Sequence, residues 1–171
     1  MRDLRASGGR ARLKGGIFRR GMVDSAFVND VRLRVLEVAA DTGQVPGANE
    51  VAHGLGRDPA DIVEAFRQLG ESHVYVVEPG DPSRLRMANP YSAVPTPFRV
   101  EVAGRSYFGN CVWDSLGIIS LLGGDGRVLT PCPDCQVPQE LRVVQRRLVA
   151  AEGLVHFSVP ARHWWDDIIH T

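Results

Sequence analysis

In the segment NCVWDSLGI a cysteine, Cys111, precedes an aspartate, Asp114, by three residues. Asn110 suits the N-cap of a helix, which predicts Cys111 in the first helical turn. Free N–H groups and the positive end of the helix dipole stabilise a thiolate there. The spacing puts the Asp114 carboxyl on the same face as the sulfur. A soft thiolate beside a carboxyl group can hold a soft metal and deliver a proton next to it. The plainer reading of the same residues is a structural cysteine buried near a helix cap. Trp113, between the two, would shield such a site from water, with Phe108 as a further pocket wall.

Cys132 and Cys135, in PCPDCQ, form a C-x-x-C that can bind zinc, copper or mercury, or cycle as a redox pair. A four-ligand zinc site needs two further donors. His156, His163 and His170 recur every seven residues, outside the usual H-x₃₋₅-H, so structural zinc is not favoured. The chain has three cysteines and no secretion signal, so they read as thiols or metal ligands rather than a disulfide framework. His156 lies in the apolar run LVHF and could meet Cys111 and Asp114 in a hydrolase-like set. A core histidine in a strand is the plainer reading. Trp164 and Trp165, ahead of Asp166 and Asp167, look like a helix start whose aromatic face packs the core or a pocket wall. The GGDG at 123–126 lacks the lysine and the strand–loop–helix context of a phosphate loop.

The elements that must position these groups fall into an α+β pattern. Residues 24–42 carry Phe27, Val28, Val31, Val35, Leu36, Val38 and Ala39 at helical spacing, with Asp24 or Ser25 as cap and Gly43 as stop. A short helix is expected over 49–55. A third follows in RDPADIVEAFRQLGE, with Asp58 as cap, Pro59 at the first position, and Ile62, Val63, Phe66 and Leu69 on one face. HVYVVEPGDPSRLRMA reads as a hairpin, and three helices plus a hairpin make a winged-helix pattern. The expected units are a basic arm (1–22), a winged-helix-like domain (23–88), a Pro-rich linker (89–97) and a catalytic or binding domain (98–171). In that last unit, strands are expected at 98–104, 126–131, 140–147 and 153–160, around a short helix over 111–122.

The formal net charge is zero, unevenly spread. Residues 1–20 hold seven basic groups against Asp3 alone, a net +6, which leaves −6 on the remainder. Such an arm can hold nucleic acid by releasing counterions, or be a plain Gly-rich tail, and Met22 after it could be the true start. The third helix exposes Asp58, Asp61, Glu64, Arg67, Gln68 and Glu71, mostly acidic, which disfavours DNA reading. No stretch approaches the ~20 apolar residues of a membrane helix, and no signal-peptide core follows the start. A soluble, cytoplasmic protein is expected.

The segment NCVWDSLGI, the winged-helix pattern upstream, PYSAVPTPFRV, the PCPDC turn and LVHFSVPARHWWDDI together resemble the organomercurial (alkylmercury) lyase family over about residues 25–169. The resemblance implies protonolysis of a carbon–mercury bond, giving a hydrocarbon and Hg(II). Carried over by position, Cys111 is the first mercury ligand and Asp114 the acid. The family's second cysteine lies just before the VHF run, where this chain reads AAEGLVHF, so Glu152 or Gly153 stands in its place. A carboxylate is a poor ligand for a soft metal. Glu152, Cys132 and Cys135 are therefore candidate helpers. No organic cofactor is implied, and an external thiol would remove Hg(II). Two other readings stay open. One is a non-catalytic metal-, organometal- or DNA-binding regulatory protein. The other is an enzyme using the Cys–Asp pair on a different small molecule.

Overall fold

The computed structural model describes residues 23–150 and 153–170. The basic arm, Met22 and Glu152 lie outside them. Three helices come first: α1 (Ser25–Thr42), α2 (Ala48–Leu55) and α3 (Pro59–Glu71). Asp24 caps α1 by accepting from the Ala26 N–H at 3.0 Å, and Asp58 caps α3 by accepting from Ala60 at 2.8 Å. Gly43 and Gly56 end α1 and α2 in the left-handed region. The inward faces, Val31 and Val35 of α1, Val51 of α2 and Ile62, Ala65, Phe66 and Leu69 of α3, form a core with Tyr75 and Leu85. The Tyr75 hydroxyl is buried there and donates to the Arg32 carbonyl at 2.9 Å.

Strands β1 (Val76–Glu78), β2 (Asp81–Ala88) and β3 (Tyr91–Ser92) form an antiparallel sheet against the helices. The stretch read as a linker thus supplies β3, and both its residues are buried. The second sheet, in the order β5-β4-β6-β7-β8, joins β4 (Arg99–Val102), β5 (Arg105–Phe108), β6 (Gly126–Pro131), β7 (Pro138–Val144) and β8 (Arg147–Ala150). All neighbouring pairs are antiparallel. Helix α4 (Val112–Leu122) lies on β4 and β6, and Ile118 and Ile119 meet Val100, Val102 and Val128 in a second core. On the opposite face Arg99, Glu101, Arg127, Glu140 and Arg142 form a ladder of ion pairs.

The arrangement is α+β, and several local expectations need correction. The strand expected at 98–104 is β4, which ends in a hairpin turn at Ala103-Gly104 (φ 50° and 78°) and is followed by a strand, β5, that was not expected. The run 140–147 likewise contains a turn at Gln145-Arg146, both at positive φ, between β7 and β8. At Gln145-Arg146 the apolar alternation passes through a turn whose residues carry no strong turn signal. Residues 153–160 form no strand, and the expected final helix is a 3₁₀ segment, Ala161–Asp166. The Trp164 indole N–H donates to the Val159 carbonyl at 2.8 Å, and Trp165 stacks on His73 at 4.2 Å and 7°. Trp165 thus packs against the N-terminal half. Among the described residues no helix is long and apolar enough to cross a membrane.

The two cores meet along α1. Ala39 belongs to the second core while Val31 and Val35 belong to the first. The Tyr107 hydroxyl of β5 donates to the Ala40 carbonyl at 2.9 Å. A Cβ on Gly43, whose φ is +77°, would lie 2.6 Å from the Ser106 carbonyl oxygen. Gly43→Ala should therefore cost at least about 1–3 kcal/mol, through strain plus a backbone clash. Gly80→Ala, at φ +81° with open space around it, should cost only the conformational part. Urea unfolding of both variants checks this, and equal losses would mean that the α1–β5 approach is not tight.

Candidate active site

The candidate residues are carried by the chain between β5 and α4. Cys111 is the N-cap of α4, extended at φ −148°, ψ 179°, and its sulfur accepts from the Asp114 N–H at 3.4 Å. The expected cap, Asn110, stands one residue outside. Its amide donates to Asn89 Oδ1 at 3.1 Å and to the Pro90 carbonyl at 3.4 Å. With that side chain engaged elsewhere, the sulfur caps the helix.

The turn is pinned from several directions. Gly109 N–H donates to the Phe98 carbonyl at 3.0 Å, and the Thr96 hydroxyl donates to the Gly109 carbonyl at 2.6 Å. Ser115, fully buried, donates from its hydroxyl and its backbone N–H to the Cys111 carbonyl, at 2.9 and 3.0 Å. A Cβ on Gly109 would sit 2.3 Å from the Ser115 oxygen and 3.1 Å from the Cys111 carbonyl oxygen. Only glycine lets the chain pass that close. Sequence reading missed Gly109, Thr96 and Ser115. Their partners lie up to 13 residues away or are backbone atoms, and no residue pattern announces such contacts.

Burial decides the electrostatics. It pushes the Cys111 thiol above its ordinary value, outweighing the N–H bonds from Asp114 and Trp113, while the nearby Asp114 charge pushes the same way. This corrects the expected thiolate at the helix end, because desolvation exceeds the dipole's help. Burial also raises Asp114, against the lowering effect of hydrogen bonds to the Asn110 and Cys111 side chains. A thiol and a carboxyl group that both resist ionisation thus lie in mutual contact.

The other candidates fall elsewhere. Trp113 is 68% exposed and does not shield the sulfur, which corrects that expectation. Phe108 is half-buried on β5, next to the turn. His156 is exposed in an irregular segment rather than buried in a strand. Among the described residues no group of three or more His, Cys, Asp or Glu side chains is placed to hold a metal. Cys111 and Asp114 therefore form no such group with His156 or with the Cys132–Cys135 pair. A groove of about 770 Å³ runs along the Arg99–Glu101–Arg127 ladder, and one of about 370 Å³ lies between α3, β1 and Trp165. Cys111 lines neither.

Cys132 and Cys135 occupy the loop between β6 and β7. All three cysteines are free thiols. Backbone N–H bonds from Cys135 and Asp134, with a contribution from the Cys135 side chain, lower the Cys132 thiol below its ordinary value.

No curated protein sequence matches the chain. A family model described as alkylmercury lyase matches residues 91–171. Among solved structures, the mercury-bound form of MerB2 matches with a TM-score of 0.58 and 19% identity, over 75% of this chain and 60% of that one. At that identity the likeness is one of fold, and the chain spans 60% of the length of that protein. The family match starts at Tyr91 and so takes in the Gly109–Ser115 turn, the strands that hold it and the Cys132–Cys135 loop. The likeness to the alkylmercury lyase family is thus carried by this C-terminal part of the chain.

Proposed function

We propose that the protein cleaves carbon–mercury bonds by protonolysis, with Cys111 as the mercury ligand and Asp114 as the proton carrier. The observation that carries the reading is the contact between a half-buried thiol and a half-buried carboxyl group, each of which holds its proton more tightly than usual. A soft organomercurial cation displaces the Cys111 thiol proton and forms a sulfur–mercury bond. Asp114 accepts that proton and returns it to the carbon as the carbon–mercury bond breaks. An external thiol, its own proton lost to solvent, supplies the second sulfur: Cys111–S–Hg–R plus Asp114–COOH plus R′S⁻ gives Cys111–S–Hg–SR′ plus RH plus Asp114–COO⁻. Glu152, in the place of the family's second cysteine, would aid proton movement rather than bind mercury. The products are a hydrocarbon and Hg(II), and the reading needs no organic cofactor.

In the same reading residues 23–88 form a winged-helix-like unit that supports the site rather than reading DNA. Arg67, the one basic residue on α3, is paired with Glu64 at 2.6 Å and with Glu71. What remains of that face for a phosphate backbone is acidic. A second reading draws on the glutamate at 152: the scaffold binds organomercurials without turning them over, or uses the Cys–Asp pair on another small molecule.

Anaerobic incubation with phenylmercury and excess thiol, with benzene followed by gas chromatography, separates these readings. The lyase reading expects benzene from the wild type, none from Cys111→Ala, and at least ~100-fold less from Asp114→Ala, the usual cost of losing a general acid. Stoichiometric mercury binding without benzene favours the binding reading. Stability offers an independent check on the proton held by Asp114. Its folded-state value lies above the unfolded one, so its contribution is present below the ordinary value of ~3.9 and is lost as pH rises through the folded value. Asp114→Asn should therefore raise the urea midpoint relative to wild type at pH 7, and the gain should shrink towards pH 3.5. A gain that does not change with pH would remove the raised carboxyl from the argument.

A further inference from the structure

The Cys132–Cys135 loop is a built feature that the Cys111 chemistry leaves unused. Its base is a closed rung of the sheet, where Pro131 pairs with Pro138. Above that rung the Cys132 N–H donates to the Val137 carbonyl at 2.9 Å, and the Gln136 N–H donates to the Cys132 carbonyl at 2.8 Å. Gln136 takes the left-handed conformation, φ 58°, that folds the chain back. Pro133 restricts the first turn position, and its carbonyl accepts from the Gln136 amide at 3.2 Å. The result is a tight knuckle that carries both cysteines within four residues. Cys132 is half-buried and Cys135 exposed, so the pair is held from below and open from above.

We propose that this knuckle is a two-thiolate site for a soft, two-coordinate cation, and that its cargo is Hg(II). Two cysteines carried by one short, hydrogen-bonded loop lower the ordering cost of binding. Soft thiolates select soft metals over oxygen-preferring ones. The donor count excludes the main competitor. Tetrahedral zinc needs four ligands, and among the described residues no third His, Cys, Asp or Glu joins the pair. Mercuric ion is satisfied by two sulfurs.

The position of the knuckle gives it a role. Arg99 of β4 pairs with Phe108 of β5 on one side and Leu129 of β6 on the other. Cys111 comes three residues after Phe108 and Cys132 three after Leu129, so both leave the same end of the sheet. The strands concerned are two spacings apart, ~10 Å. The knuckle can therefore take the ion released at Cys111 by thiol exchange. The mercury bonds to Cys111 and to the external thiol break as bonds to Cys132 and Cys135 form. Two protons pass from the incoming thiols to the outgoing ones, and no electrons are transferred. Hg(II) as the cargo rests on the lyase reading, whereas the two-thiolate site does not.

The test uses the full chain, reduced and anaerobic, as Cys111→Ser, so that only the knuckle thiols remain. It is titrated with mercuric chloride against millimolar glutathione. Mercury retained after gel filtration and the near-ultraviolet thiolate–mercury absorption are read together. One ion per chain is expected. Adding Cys132→Ser or Cys135→Ser should weaken retention at least ~100-fold by removing the intramolecular second donor. Loss of mercury from Cys111→Ser, or full retention without either knuckle cysteine, would overturn the proposal. So would retention of zinc as tight as that of mercury, or a Cys132–Cys135 disulfide forming in place of metal uptake. Because inorganic Hg(II) contains no carbon bond, this result and the benzene assay can fail independently.

Discussion

The site depends on one close backbone approach. At Gly109 the chain passes so near Ser115 that no side chain fits. That closeness lets the Ser115 hydroxyl and N–H both reach the Cys111 carbonyl. With its carbonyl fixed and its backbone extended, Cys111 presents its sulfur as the helix cap, against the Asp114 N–H. Everything chemical at the site follows from that geometry. The sulfur and the carboxyl group share one short turn, and both are half-buried.

Removal from water has a cost. A half-buried carboxyl group that resists ionisation and a half-buried thiol that does the same are poor choices for stability alone. Their surroundings offset part of this with directed hydrogen bonds rather than with counter-charges. Asn110 ties the turn to Asn89 and Pro90, and Thr96 holds the Gly109 carbonyl. The charged residues of the same sheet, Arg99, Glu101, Arg127, Glu140 and Arg142, stand in an ion-pair ladder on the face opposite α4. The guanidinium groups of this sheet thus pair with carboxylates on the far face rather than with Asp114.

The N-terminal helices contribute support from a distance. Helix α1 spans both cores, and its last turn lies against β5 through Tyr107 and Gly43. At the other end of the chain, Trp165 stacks on His73 just after α3, so the 3₁₀ segment that follows the irregular stretch is anchored on the first half. A segment without regular structure can hold its place when a large aromatic side chain supplies the contact.

Local chemistry was legible wherever a signal is local. Asp24, Asp58, Pro59 and Gly43 announced the helix ends, the apolar spacing announced the inward faces, and the Cys111–Asp114 and Cys132–Cys135 spacings marked the candidate pairs. The sequence alone could not place the turn at Gln145-Arg146, because alternation continues through it and strand pairing decides where a chain reverses. It assigned 153–160 to a strand on apolar content, which does not require a hydrogen-bonded neighbour. It expected a thiolate because a helix end favours one, whereas the ionisation of Cys111 is set by burial, a property of the packed whole. Residue types and short spacings thus determined which groups this protein can use. Tertiary structure decided which of them are buried, which meet, and which protons they hold, because desolvation and long-range backbone contacts exist only once the chain has folded.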